Sequence, residues 1–226
     1  EYTFDLSTMP DDHIGEVEDW QIAEKALQNA LIRAGKEFKI NEKDGAFYGP
    51  KIDIKIKDAI GRTWQCGTIQ LDMQLPKRFN LTYIDANGEK QEPVMIHRAL
   101  YGSFERMIGV LTEHFAGSFP VWLSPVQVKV LSLTERNEDY AKEIFEKLQK
   151  SGVRVGLDVR NEKVGYKIRE ALTKKVPYLI IVGDEEEKNG KISLRGRNNV
   201  NRPNIELDDF IAQLLNEIET RKLIVE

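Results

Sequence analysis

The stretch Val94-Met95-Ile96-His97-Arg98-Ala99-Leu100-Tyr101-Gly102-Ser103-Phe104-Glu105-Arg106-Met107-Ile108-Gly109-Val110-Leu111-Thr112-Glu113-His114 decides how the chain is read. Its apolar start leads into a histidine and an arginine. Beyond Gly102 and Ser103, the residues Phe104, Met107, Ile108, Leu111 and Phe115 recur at helical spacing. That pattern predicts a strand entering a helix whose apolar face is buried. Gly102 lets the backbone turn sharply beside a ligand, and Ser103 is placed to cap the first free amides. Arg106 falls in the first turn, where the helix dipole prefers an acid. A phosphate in front of the helix would resolve that misfit; a surface pair of Glu105 with Arg106, and a locally satisfied His97, is the plainer alternative.

Upstream, Tyr2 to Met9 reads as a short strand. Asp19 to Ala34 reads as an amphipathic helix with Ala23, Ala26, Leu27, Ala30, Leu31 and Ala34 on one stripe and Gly35 as the stop. A glycine-bracketed loop from Asp44 to Lys51 feeds the alternating strand Ile52 to Ile56, and the hydroxyl of Tyr48 and ammonium of Lys51 at its mouth suit a small polar ligand. Asp58 to Arg62 forms a hairpin turn into the strand Thr63 to Asp72. In that strand strict alternation puts Trp64, Cys66 and Thr68 on one face and Gln65, Gly67 and Ile69 on the other, unless a bulge near Gly67 resets the register. Gln65, Thr68 and Gln70 are costly to bury in a central strand unless a polar ligand pairs with them. Leu81 to Ile84, the Asn87-Gly88 turn and Pro93 to Ile96 read as another hairpin.

Phe119 to Pro125, framed by prolines, marks a change of pattern. Beyond it strands at Val126 to Leu133, Arg154 to Leu157, Tyr178 to Val182 and Lys191 to Arg195 alternate with helices at Asn137 to Lys150, Val164 to Lys175 and Leu207 to Lys222. The last helix carries Leu207, Phe210, Ile211, Leu214, Leu215 and Ile218 inward. This order predicts a mixed, largely parallel sheet covered by helices. No Gly-x-Gly-x-x-Gly or phosphate loop follows its first strand, which disfavours a dinucleotide domain.

Composition excludes several classes. With 226 residues, 41% hydrophobic and 31% charged, the chain has room for two modest cores. One cysteine allows no internal disulfide, so a reducing cytoplasmic compartment is the default. No apolar run reaches the roughly 20 residues of a membrane span. The net charge of −4 argues against a coat of nucleic acid, yet six basic and two acidic residues crowd Arg160 to Lys175, and five basic and no acidic residues lie between Lys188 and Arg202. Local patches of that kind suit a bounded RNA contact, although solvated helix and loop faces look the same in sequence. The chain lacks an initiator methionine and opens inside a strand, which leads us to expect a longer parent.

Gly102-x-x-Glu105-Arg106 after an apolar strand resembles motif 3 of the class II aminoacyl-tRNA synthetases. With His97-Arg98-Ala99 in front, and Trp64-Gln65-Cys66-Gly67-Thr68-Ile69-Gln70-Leu71-Asp72 resembling the active-site strand, the chain is similar to the threonyl branch over nearly its whole length. Asp158 to Glu170 resembles the anticodon-binding domain shared by the threonyl, prolyl, histidyl and glycyl enzymes. The implied fold is α/β: the partial antiparallel sheet of a class II core over residues 1–120, then a mixed-sheet anticodon-binding domain over 121–226. The implied activity is ligation of threonine to tRNA(Thr) through an adenylate, by a parent that is a homodimer, with this piece alone lacking full activity.

The resemblance also implies roles. Arg106 would neutralise the γ-phosphate of ATP, with magnesium sharing the charge, and Gln65 would hold the adenylate. Tyr48, Lys51, Thr68, Gln70 and Ser103 would line the pocket for the amino acid or the tRNA end. His97 would be one of three zinc ligands, the other two and motifs 1 and 2 lying upstream of Glu1. Zinc would tell threonine from valine by its hydroxyl. Asn161, Lys163, Arg169, Glu186 and Arg195 would contact the anticodon. A non-catalytic RNA-binding module that keeps the fold is the competing class.

Overall fold

In the computed structural model, which describes residues 1–223, the alternation of Lys51-Ile52-Asp53-Ile54-Lys55-Ile56 sets the faces of the first sheet. Isoleucines go to one side and charged residues to the other. The chain divides into two units, Glu1–His114 and Phe115–Glu226. The first contains β1 (Tyr2–Ser7), α1 (Val17–Arg33), β2 (Phe38–Asn41), β3 (Lys51–Lys57), β4 (Thr63–Asp72), α2 (Gln74–Arg78), β5 (Tyr83–Ile84), β6 (Lys90–Gln91), β7 (Met95–Ala99) and α3 (Phe104–His114). Its main sheet runs β2-β1-β3-β4-β7, antiparallel except for the β1–β2 pair.

The isoleucine face makes the core. Ile52 and Leu6 meet Leu27 and Leu31 of α1, with Phe4, Phe38, Ile69 and Leu71 around them. Along α1 the buried residues are Trp20, Ala23, Leu27 and Leu31, whereas Ala26, Ala30 and Ala34, expected on the same stripe, are exposed. Burying Trp20 and two leucines removes far more apolar area from water than burying alanines, so the bulky side chains set the helix rotation. Gly35 at φ +62° follows the helix as its stop.

Two expected elements differ. The Asn87-Gly88 turn joins only β5 to β6, while β7 leaves that hairpin and pairs with β4 in the main sheet. Short turn chemistry fixes the local hairpin, but register with β4 claims Met95–Ala99. The helix α3 forms at the expected place, yet none of its residues is buried: Phe104 is 82% and Ile108 59% exposed. Helical spacing reports an apolar face, not what lies against it.

The second unit contains β8 (Val128–Ser132), α4 (Glu138–Lys150), β9 (Val155–Asp158), α5 (Val164–Thr173), β10 (Tyr178–Val182), α6 (Asp184–Asn189), β11 (Ile192–Gly196), β12 (Asn201–Ile205) and α7 (Leu207–Glu219). Its sheet runs β12-β11-β10-β8-β9, parallel among β8, β9 and β10 and antiparallel at β11 and β12. The strand β12 escapes notice in sequence because it holds Pro203, which an edge strand tolerates. Helices α4 and α7 cover one face, packing Ile144, Leu148, Phe210 and Leu214 on Val130, Tyr178 and Ile180. On the other face α5 packs Ala171 against Leu131 and Leu179. Leu215 is partly exposed and Leu207 and Ile218 half-buried; in their place Glu217 is buried, its carboxylate accepting the Tyr178 hydroxyl at 3.1 Å.

Candidate active site

Cross-strand register assembles a polar face opposite the core. Ser7 and Gln70 stand beside Lys51, Thr68 beside Asp53, Gln65 beside Lys55, and His97 beside Gln70. Directly paired residues share a face of a sheet. Simple alternation would send Gln65 and Thr68 to opposite faces. They share one because Ile54 pairs with Gly67 and Lys55 with Gln65, which leaves Cys66 as the extra residue of a bulge. The crossing is tight at Gly67, where a Cβ would sit 3.1 Å from the Ile54 side chain and 3.3 Å from the Leu100 carbonyl oxygen.

At the centre is Asp53, 1% exposed. Its Oδ2 accepts from Ser7 Oγ at 3.0 Å and from Lys51 Nζ, and its Oδ1 accepts from Gln65 Nε2 at 2.5 Å. Lys51 Nζ also donates to Asp44 Oδ2 at 3.2 Å. Tyr48 donates its hydroxyl to Gln70 Oε1 and meets the His97 ring edge-on at 5.7 Å. Burial pushes the Tyr48 phenol pKa up, and the Asp72 charge adds to that, so it stays a donor. Thr68 Oγ1 is out of contact with solvent and has no hydrogen-bond partner among the described residues. A buried hydroxyl left unpaired amid so many satisfied groups keeps its hydrogen-bonding capacity free.

Gln65 links this pocket to Arg106. Its side chain holds Asp53, while its backbone carbonyl accepts from Arg106 Nη1 at 2.5 Å. The Arg106 guanidinium also lies 5.8 Å from the Trp64 ring centroid. Ser103 caps α3 as its type suggests, its hydroxyl accepting the Arg106 amide at 3.2 Å. Arg106 lines a cavity of about 390 Å³ with Arg62, Trp64, Glu105, Gly109, Val110 and Glu113. The Gln65 carbonyl and the Trp64 ring thus fix the direction of its guanidinium.

His97 stands at the far end of the same face. Its Nε2 is 2.8 Å from Asp72 Oδ2, and the other oxygen of that fully buried carboxylate takes the amides of Gln74 and Leu75 at 2.8 and 3.0 Å. Burial by itself would raise the Asp72 pKa, but His97 and these amides outweigh it and hold the carboxyl below its ordinary value. No group of three His, Cys, Asp or Glu able to hold a metal occurs among the described residues. Of a three-ligand zinc site this chain offers His97 alone, through the ring nitrogen that Asp72 leaves free, and one donor does not make a metal site. Cys66 is no candidate: it is buried, and burial pushes its thiol pKa up.

In the second unit the candidate RNA residues fall into two kinds. Asn161, Lys163 and Arg169 are exposed at the start and along the surface of α5, with Lys163 as its N-cap residue. Glu186 is committed inside the fold: it accepts the Gly183 amide at 3.0 Å, capping α6, and the Ser193 hydroxyl at 2.8 Å. Arg195 donates to Asn199 Oδ1 at 3.1 Å and keeps a buried Nε without a partner among the described residues. It pairs with Leu179, so it shares the sheet face on which α5 packs. The basic run of α5 is thinner than its composition. Lys167 is buried against the Ser132 carbonyl at 2.9 Å, and Arg160 and Lys174 are paired with Glu170.

Sequence reasoning passed over Asp53, Asp72 and Ser7. An acid alternating with isoleucines in a strand is the only signal Asp53 gives, and an exposed strand face gives the same one.

Comparison with known proteins adds the following. Residues 6–115 match the family model described as tRNA synthetase class II core domain (G, H, P, S and T), and residues 127–217 match the anticodon binding domain. The chain is similar to the threonine–tRNA ligase of Caldanaerobacter subterraneus subsp. tengcongensis, at 56% identity over 99% of this chain and 35% of that protein. It is 57% identical to the threonine–tRNA ligase of Clostridium tetani over 98% of this chain and 35% of that protein. It therefore spans about a third of the length of these curated relatives. Among solved structures it resembles the RNA binding domain of threonyl-tRNA synthetase from Cryptosporidium parvum Iowa II, with a TM-score of 0.88 and 43% identity over 96% of this chain and 55% of that one. It also resembles a putative threonyl-tRNA synthetase from Aeropyrum pernix, with a TM-score of 0.72 and 27% identity over 99% of this chain and 56% of that one.

Proposed function

The chain belongs to the class II aminoacyl-tRNA synthetases, as a core-domain segment followed by an anticodon-binding domain, and from that premise we propose that it serves the ligation of threonine to its tRNA. The observation that carries this reading is the unpaired Thr68 hydroxyl, set among Asp53, Gln70 and His97 on a face that Gln65 connects to Arg106. In this reading residues 1–120 take part in activating threonine with ATP, and residues 121–226 hold the tRNA anticodon arm. The protein that carries the chain acts as a homodimer.

The chain's own groups do the positioning. Tyr48, Lys51, Thr68, Gln70 and Ser103 shape the pocket around the amino acid, and Gln65 holds the adenylate at the bulge. Arg106 sits against the triphosphate, where a fixed charge lowers the barrier more than acid–base chemistry would. Magnesium bound with ATP shares the phosphate charge. Asn161, Lys163 and Arg169 donate to RNA phosphates or base edges, and Arg195 takes part through the guanidinium end that meets Asn199, its Nε being buried.

The test is amino-acid-dependent exchange of pyrophosphate into ATP by the intact protein, with threonine and valine in parallel. Threonine-dependent exchange with little from valine is expected; exchange with another amino acid would overturn the substrate assignment. A complete lack of exchange, together with tight binding of a tRNA(Thr) anticodon stem-loop by this chain, would make it a binding module instead.

A further inference from the structure

We propose that Asp53 is the positioning residue of this pocket, one buried carboxylate that fixes both Lys51 on the amino-acid side and Gln65 on the adenylate side. The inference rests on the functional reading above and goes beyond it, because Asp53 touches no substrate in that reading. Asp53 is central in the sheet, on β3 between β1 and β4. Its two oxygens divide the work: Oδ2 takes Lys51 Nζ and Ser7 Oγ, and Oδ1 takes Gln65 Nε2. Among the described residues, the only other partner of Lys51 Nζ is Asp44, whose side chain is 55% exposed.

A buried charge pair contributes little to stability over an apolar pair of the same shape, so its value lies in fixing geometry. Lysine is a long, mobile chain and glutamine a freely rotating amide. Without an anchor each would sample several rotamers in an open cleft. Three donors on one carboxylate remove that freedom, which is how a site is organised before its ligand binds. The bulge at Cys66 completes the arrangement by turning Gln65 toward Asp53.

The experiment compares Asp53→Asn, Asp53→Ala, Lys51→Met and the Asp53→Asn/Lys51→Met double variant in the intact protein by threonine-dependent pyrophosphate exchange. Asparagine keeps an acceptor for Gln65 but loses the charge that holds Lys51. Asp53→Asn should therefore raise the threonine KM by roughly 10-fold to 100-fold and leave the ATP KM within about twofold, the loss expected of a misplaced contact. Asp53→Ala should raise both. The double variant should be no worse than the poorer single variant, as coupled residues behave. Losses that multiply, or equal changes in both KM values with a lowered melting point, would overturn the proposal.

If Asp53→Asn melts below the assay temperature, Asp53→Glu carries the test. It keeps the charge for Lys51 and displaces the acceptor of Gln65, so the ATP KM should move and the threonine KM should not; the reverse overturns the proposal. A separate readout needs no activity: acylation of Lys51 by a succinimidyl ester, mapped by mass spectrometry. Lys51 should react slowly in the wild-type chain and several-fold faster with Asp53→Asn. Should the wild-type protein show no threonine-dependent exchange, the functional reading falls, and this labelling still decides whether Asp53 holds Lys51.

Discussion

Arg106 stands where the first turn of α3 meets the bulge of β4, with the Gln65 carbonyl and the Trp64 ring holding its guanidinium. In the proposed reading an anionic ligand offsets its position against the helix dipole, and a preorganised cation does not need to be reoriented during reaction. Arg106→Ala in the intact protein should slow threonine-dependent pyrophosphate exchange by roughly 10²-fold or more, the loss typical of one preorganised charge contact. Wild-type exchange in that variant would remove Arg106 from the active site. Asp158 offers a test at the same scale. The Arg160 guanidinium holds its carboxyl well below the usual carboxylate range, burial opposes this, and Lys129 reinforces it. Since the folded pKa lies below the unfolded value of about 3.9, the stabilisation is complete above that pH and is lost progressively as pH falls from there through the folded pKa. Asp158→Asn should therefore lower the melting temperature at pH 7, with the gap from wild type closing below about pH 4. Parallel melting curves from pH 7 to the acid limit would contradict the assignment.

Among the elements, α1 and α3 have similar amphipathic patterns and opposite fates. Leu27 of α1 is in the core beside Leu6 and Ile52, so Leu27→Ala should cost about 2–5 kcal/mol in chemical denaturation. Ile108 of α3 is 59% exposed, and Ile108→Gln should change the stability of this chain by no more than about 0.5 kcal/mol. A large loss at Ile108 would mean that α3 has a covered face. The loop before β3 is tied to β4 at Gly49, where an added Cβ would come 1.8 Å from the Leu71 carbonyl oxygen. Gly49→Ala should displace that loop, and with it Tyr48 from Gln70; the change should be read as a higher threonine KM with an unchanged anticodon-arm affinity.

For the whole molecule, each unit has its own sheet and its own hydrophobic core, so residues 115–226 expressed alone should fold cooperatively, with dispersed amide resonances and a single melting transition. Much of this organisation is legible in the sequence. The strand–helix alternation beyond Pro125 implies the mixed sheet, Gly61 and Gly35 mark real turns, and Gly102-Ser103 before an apolar repeat opens a helix, because these features depend on backbone torsions and periods of two or 3.6 residues. The amino-acid order also singles out Gln65, Thr68, Gln70, His97 and Arg106 as polar groups out of place in strand or helix. It does not say which of them meet. The bulge at Cys66, the pairing of β7 with β4, the rotation of α1 about Trp20 and the burial of Asp53 and Asp72 are products of register and packing. They arise from contacts between residues far apart in the chain, whose energies depend on what lies opposite, and for that reason only the tertiary structure decides them.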